Sequence, residues 1–107
     1  MSLDVYLTEV RETEIYESNI THNLGLMAKK AGIYKYLWRP EEIGIFKASQ
    51  LIEPLSAGLD LLLSDPDRFK KYDPSNGWGD YDGLVDFVRN YLAACEENQD
   101  AKVNVSR

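Results

Sequence analysis

The feature that most constrains this fold is an apolar stripe near the carboxyl-terminal end of the chain. Apolar side chains recur there at intervals of three and one residues, as Tyr81, Leu84, Val85, Val88, Tyr91, Leu92 and Cys95. This spacing places them all on one face of an α-helix. Asp80 precedes the stripe as an N-cap, whose carboxylate can accept hydrogen bonds from the first turn. The pattern predicts an amphipathic helix over Asp80–Glu97 that needs a core to pack on.

Two further apolar stripes predict helices earlier in the chain. The first predicts a helix over Asn19–Ala31 that Gly32 ends, and its stripe consists of Ile20, Leu24, Met27, Ala28 and Ala31. The second predicts a helix over Lys47–Ser64, with a stripe of Ala48, Leu51, Ile52, Leu55, Leu59, Leu62 and Leu63. Pro54 lies inside the second helix and removes one backbone hydrogen bond, so we expect either a kink or a start near Gln50.

Shorter helical segments are predicted between these stripes. Ile33–Trp38 is an aromatic run that we interpret as one helical turn. Pro40 favours the first position of a further brief turn. Pro66–Tyr72 is predicted as a short helix capped by Asp65, before the turn that Pro74 and Gly77 indicate.

The two ends of the chain are predicted to form strands. Leu3–Val10 is rich in residues that favour strands, and Lys102–Ser106 alternates between apolar and polar residues. Between the first strand and the first helix, Arg11–Glu17 is interpreted as a charged connector. The predicted fold is α+β and mainly helical, in the order strand, helix, helix, short helix, helix, strand, and the terminal strands pair in a small sheet. Because a two-stranded ribbon is marginal in water, its open edges suggest a homo-oligomer as one outcome.

Size and charge limit the function. A chain of 107 residues predicts a single domain over residues 1–107. The net charge of −6 argues against nucleic acid as a partner, because phosphate contacts need clustered Lys and Arg. Residues 29–47 nevertheless form a mildly basic region, with five basic and two acidic side chains.

Metal, cofactor and membrane roles find little support in the sequence. One cysteine and one histidine are too few for a typical zinc site, and we expect Cys95 to be a buried apolar residue. No phosphate-binding glycine motif occurs, so we expect no cofactor. No apolar run is long enough to cross a membrane, and the first residues do not resemble a signal peptide, so we expect a cytoplasmic protein.

The most chemically dense stretch is Asn19–Leu24, which carries two amides, a hydroxyl and the single histidine. As part of a helix, it would place His22 away from the apolar stripe, beside Leu26 and Lys29. We predict a ligand-binding surface that combines this stretch with aromatic and basic side chains from elsewhere, formed by Asn19, Thr21, His22, Asn23, Trp38, Arg39, Trp78 and Tyr81. The alternative is structural: Asn19 or Thr21 caps the helix, and the tryptophans belong to the core.

The chain carries five short motifs, which are Asn19-Ile20-Thr21-His22-Asn23-Leu24, Leu37-Trp38-Arg39-Pro40, Leu51-Ile52-Glu53-Pro54-Leu55, Asn76-Gly77-Trp78-Gly79 and Val103-Asn104-Val105-Ser106-Arg107. In this order, they resemble a group of small proteins from bacteria and bacteriophages. The resemblance covers nearly the whole chain. It implies a bacterial or phage (prophage) setting, but it implies no activity, cofactor or catalytic residue.

Two functional hypotheses follow. The first is a non-enzymatic phage or prophage accessory protein that binds a partner protein or a small ligand, because no catalytic constellation accompanies the polar and aromatic set. The second is a small hydrolase that uses His22 as a general base. They differ in where His22 should point: a hydrolase needs it in a pocket, with a carboxylate within reach.

Overall fold

The computed structural model describes residues 1–9 and 13–107 of the chain. It is an α+β fold, in which a three-stranded antiparallel sheet packs against helices. Within the described residues, the strands and α-helices in chain order are β1 (Ser2–Thr8), β2 (Glu14–Thr21), α1 (Gly25–Lys30), α2 (Tyr34–Trp38), α3 (Ser49–Ser64), α4 (Pro66–Lys70), α5 (Tyr81–Glu97) and β3 (Lys102–Ser106).

The sheet has the order β2-β1-β3, with β1 in the centre. The predicted pairing of the two ends of the chain is confirmed, since Val5 lies opposite Val105 and Leu7 opposite Val103. The prediction of a sheet formed only by these two strands is wrong, because β2 pairs along the other side of β1. Leu3, Val5 and Leu7 in the central strand are fully buried, so this face of the sheet covers the core.

The second strand occupies residues that the sequence analysis assigned to a connector and a helix start. The predicted connector over Arg11–Glu17 is wrong from Glu14 onward, and its first two residues lie outside the described residues, as does Val10 of the predicted first strand. In β2 the side chains that face inward are Tyr16, Ser18 and Ile20, opposite Leu7, Val5 and Leu3. Because one of these three is a small polar residue, the alternation typical of a strand is hard to see in the sequence.

The first helix is correspondingly shorter than predicted. Residues 19–21 belong to β2, a 3₁₀ turn covers His22–Leu24, and α1 runs only over Gly25–Lys30. Gly32 follows with φ = +78°, the left-handed conformation expected of a residue that ends a helix. At Gly25, the first residue of α1, a Cβ would meet the ring of Tyr34 at 3.3 Å, so α1 and α2 pack closely there.

The two long helices, α3 and α5, pack against each other and form the main helical layer. All seven residues of the stripe that predicted α5 are buried, with exposed fractions of 9 % or less. Pro54 is the sixth residue of α3, which begins at Ser49, close to the expected late start. The apolar face of α5 therefore lies in the core, as its spacing predicted.

Side-chain caps begin two of the helices at the predicted positions. The Asp80 carboxylate accepts a hydrogen bond of 2.8 Å from the Gly83 N–H, and α5 begins at the next residue. The Asp65 carboxylate accepts from the Arg68 N–H at 3.4 Å, and α4 follows it but ends at Lys70, before the predicted end at Tyr72. The predicted helical turn over the aromatic run is confirmed as α2.

Candidate functional site

A cleft of about 500 Å³ lies where the end of β2 meets the turn that precedes α5. Its lining combines polar and apolar groups, and it consists of Met1, Ser2, Asn19, Thr21, Asn23 and Trp78. Four of the eight predicted site residues thus lie around one concavity, although they come from two segments more than fifty residues apart. Met1 and Ser2 join them because β1 pairs with β2 and brings Ser2 opposite Thr21.

Trp78 is the most distinctive residue of the cleft, because its side chain is 70 % exposed. Its backbone is fixed in place: the Trp78 N–H donates to the Asn76 side-chain oxygen at 2.9 Å. Gly77 and Gly79 on either side have φ = +78° and +95°, backbone angles that residues with a side chain rarely adopt. The turn therefore presents the indole to solvent on a defined backbone.

The turn is seated directly on the residues at the end of β2. A Cβ on Gly79 would lie 2.7 Å from the Thr21 methyl carbon and 3.1 Å from the Leu24 side chain. The Asn23 side-chain amide also donates to the Trp78 carbonyl, at 3.5 Å. Only a glycine permits this approach, so the spacing between the two walls of the cleft is set by Gly79.

The polar wall of the cleft comes from β2 and the 3₁₀ turn. The Thr21 hydroxyl accepts a hydrogen bond from the Asn23 N–H at 3.3 Å and caps this turn, as one of the structural alternatives anticipated. Asn19 is exposed and lies opposite Asp4 in the sheet. The wall thus offers an exposed amide, a hydroxyl and a second amide beside the indole.

His22 and Trp38 form a separate pair outside this cleft. The Trp38 indole N–H donates to His22 Nδ1 at 2.7 Å, so His22 is bonded to a buried side chain of α2. Trp38 is 2 % exposed and stacks on Tyr34 at 5.2 Å between ring centroids. Its ring is therefore part of the core and offers a ligand almost no surface.

Arg39 and Tyr81 also lie outside the lining of the cleft. The Arg39 guanidinium donates to the Glu42 carboxylate at 3.0 Å, and this hydrogen bond raises the pKa of Arg39. Tyr81 is 5 % exposed, and its hydroxyl donates to the Leu62 carbonyl at 2.6 Å. Tyr81 therefore links α5 to α3 and, unlike Trp78, does not line the cleft.

The strand next to the cleft carries exposed acidic side chains that are not among the predicted site residues. Glu17 lies two residues before Asn19 on the same face of β2, and Glu14 begins the strand. The signal that could have identified them is alternation, because Glu17, Asn19 and Thr21 share a face once the segment is recognised as a strand.

A group of ionisable side chains lies between β2 and α5. Tyr16 and Tyr91 stack with ring centroids 6.0 Å apart. Burial raises the pKa of the nearby Cys95 thiol to about 12, which keeps it protonated. Within the described residues, the Tyr91 hydroxyl is buried without a hydrogen-bond partner. Tyr91 and Cys95 belong to the core, Tyr16 packs against it, and none of the three lines the cleft.

The described residues show neither a metal cluster nor a membrane-spanning helix. In residues 1–9 and 13–107, no cluster of three or more His, Cys, Asp or Glu side chains could hold a metal ion. The helices described by the structure include none that is both long and apolar enough to cross a membrane. No protein-family model matches the chain, and comparisons with curated proteins and with solved structures likewise give no match, so its function has to be inferred from its own geometry.

Proposed function

We propose that this is a non-enzymatic binding protein, which engages a partner protein or a small ligand at the cleft around Trp78. The observation that supports this best is an indole that is 70 % exposed and yet held by its backbone. Exposing so large an apolar surface to water is unfavourable, and tryptophan is enriched among residues that dominate binding energies. A partner that covered this ring would recover the cost.

The chemistry of the cleft suits a group with both an apolar face and hydrogen-bonding atoms. The indole offers a flat apolar surface, while Asn19, Thr21 and Asn23 offer amide and hydroxyl groups. Its volume of about 500 Å³ is in the range of ligand-binding pockets. A peptide segment or a small polar ligand with one apolar group fits this description.

The alternative, a small hydrolase with His22 as general base, has less support. A histidine nitrogen that accepts a hydrogen bond carries no proton, so the neutral ring has its proton on Nε2. The lone pair of Nδ1 is directed to the Trp38 indole at 2.7 Å. Neither nitrogen then has a lone pair available to remove a proton from a substrate.

The biological setting that we propose is bacterial or phage, with a role as an accessory protein of a phage or prophage in the cytoplasm. This proposal rests on the sequence motifs, of which Asn76-Gly77-Trp78-Gly79 contributes the exposed indole of the cleft. A binding role fits such a protein because the cleft combines an exposed indole with amide and hydroxyl side chains.

The test is affinity capture from a lysate of the host organism, with proteins and small molecules both identified by mass spectrometry. The wild-type chain, Trp78→Ala and Phe46→Ala are compared. Phe46 is the matched control, because it is also an exposed aromatic residue, at 60 %, but lies away from the cleft. We expect a bound species that is lost with Trp78→Ala and retained with Phe46→Ala. Identical captures from all three proteins would contradict the proposal.

A further inference from the structure

We propose that the open edge of β2 takes up an extended, basic peptide segment of a partner protein as a fourth, antiparallel strand. This inference rests on the proposed binding function and specifies its partner. Peptides that add a strand to a sheet gain affinity from main-chain hydrogen bonds and specificity from pockets for alternate side chains. In this chain, β2 would supply the hydrogen bonds and the cleft at Trp78 would supply the pocket.

The phase of the ladder shows which backbone groups of β2 are available. The His22 N–H donates to the Met1 carbonyl at 3.3 Å, which makes these two a hydrogen-bonded pair. Because hydrogen-bonded pairs alternate along an antiparallel ladder, Ile20 and Ser18 also direct their backbone groups toward β1. Glu17 and Asn19 then direct theirs outward, to the open edge.

The opposite edge of the sheet is partly closed, which makes β2 the more open of the two. The Val103 N–H of β3 donates to the Phe46 carbonyl at 2.9 Å, and a bridge joins Lys47 to Lys102. In the described ranges of the chain, β2 pairs only with β1. A strand of eight residues, with a break in its register at Ile15, therefore has one side open to another chain, and its paired residues from Tyr16 to Thr21 are regular.

The charge on this edge selects the partner. Glu14 and Glu17 are exposed on β2, and Asp4 lies opposite Asn19 on the same face as Glu17. Opposite charges across neighbouring strands stabilise their pairing, and like charges destabilise it. A second copy of this chain would bring the same glutamates to the shared edge, whereas a strand with Lys or Arg would neutralise them.

The position of the cleft fixes the register of the added strand. Glu17, Asn19 and Thr21 point their side chains to one face of the sheet, and the last two also line the cleft beside Trp78. In an antiparallel partner, the residue that faces Glu17 lies four positions after the one that faces Thr21. The partner segment therefore carries an apolar residue against the indole and a basic residue four positions later.

The test selects random dodecapeptides from a display library for binding to the full chain. We expect the selected peptides to show this apolar-to-basic spacing. Glu17→Pro should weaken their binding by about tenfold or more, because it removes an N–H from the open edge. Glu17→Thr is the matched control: it removes the same charge but keeps the N–H, so its loss should be smaller. Phe46→Ala should bind as the wild type does.

Modified peptides make the result independent of how well Glu17→Pro folds. N-methylation of every second peptide amide, in the set that faces β2, should abolish binding, and methylation of the other set should not. Equal effects of the two sets would overturn the strand addition. A selection that yields no binding peptide would also overturn it. The same holds if the chain alone forms a dimer that Glu17→Pro dissociates, because a second copy would then occupy the edge of β2. Trp78→Ala separates this inference from the proposed function. If Trp78→Ala abolishes peptide binding but Glu17→Pro and both sets of methylated peptides leave it intact, strand addition is wrong and the proposed function stands. If Trp78→Ala also leaves binding intact, both proposals are wrong.

Discussion

The indole N–H of Trp38 donates a 2.7 Å hydrogen bond to Nδ1 of His22, and this bond joins α2 to the turn that follows β2. Because Trp38 is 2 % exposed, removal of the acceptor leaves a buried donor unsatisfied. We expect His22→Ala to lower the free energy of unfolding by about 1–3 kcal/mol, measured by urea denaturation. Trp38→Phe and the double variant complete a mutant cycle, in which we expect the two effects not to add. Strict additivity would show that the bond contributes nothing.

Gly58 in α3 is predicted to resist replacement by alanine, although alanine favours helices by about 1 kcal/mol over glycine. A Cβ at this position would lie 2.2 Å from a methyl carbon of Ile33, which is buried. We therefore expect Gly58→Ala to destabilise the protein in thermal or chemical denaturation. Ile33→Ala in the same chain should make the added methyl group less costly. A stabilising Gly58→Ala would contradict the close packing of α3 on the segment before α2.

Cys95 is predicted to be unreactive in the folded protein. Its side chain is fully buried, and burial raises the pKa of the thiol to about 12. Since the thiolate is the reactive form, we expect very slow modification by a disulfide reagent at mildly alkaline pH and rapid modification in denaturant. Rapid reaction of the native protein would mean that α5 does not direct this residue into the core.

The last residue of the chain is predicted to make stability depend on pH. The Arg107 guanidinium donates to the Glu41 carboxylate, and this hydrogen bond lowers the pKa of Glu41 below its ordinary value of 4.5. A lowered carboxyl pKa stabilises the folded state above the ordinary value, and this contribution is lost as the pH falls through the folded-state pKa. We expect wild type to exceed Glu41→Gln in stability at neutral pH, with a difference that shrinks on acidification. Since the side chains of Arg107 and Glu41 are 36 % and 44 % exposed, the difference should also shrink with salt. A difference constant with pH would contradict the pairing.

The helices that sequence predicted best are those whose apolar spacing and caps agree. In α5 the stripe and the Asp80 cap both point to the same start, and the structure places them as expected. The pairing of β1 with β3 was also predictable, because both have the composition of strands and lie at the two ends of the chain. Local patterns sufficed in these cases because burial follows the period of the backbone.

The second strand was missed for a physical reason. An edge strand buries only one face, so only every second residue needs to be apolar. In β2 these inward-facing residues are Tyr16, Ser18 and Ile20, and the polar Ser18 interrupts the apolar pattern. The spacing of Ile20 and Leu24 also fits one face of a helix, so the sequence pattern predicted a helix where the structure has the end of a strand. Pairing with β1 decides its conformation, and that contact cannot be seen in local sequence.

The candidate site was predictable in part. Asn19, Thr21, Asn23 and Trp78 do lie around one cleft, but Trp38 and Tyr81 belong to the core. An exposed and a buried tryptophan cannot be told apart by residue type, and only the two glycines beside Trp78 hinted at its turn. Glu17 was left out because it shares a face with Asn19 and Thr21 only in the strand that was missed.

The most direct test of the central claim, that partners bind at Trp78 and the edge of β2, is a titration followed by nitrogen–proton correlation spectra. We expect separate indole N–H signals from the two tryptophans, because the Trp38 indole donates a hydrogen bond to His22 and the Trp78 indole is exposed to solvent. When the selected peptides are added, we predict that the Trp78 indole and the amides of Glu17 and Asn19 shift, while the Trp38 indole and the Phe46 amide stay in place. Shifts confined to the Phe46 side of the sheet, with Trp78 and β2 unchanged, would contradict the account.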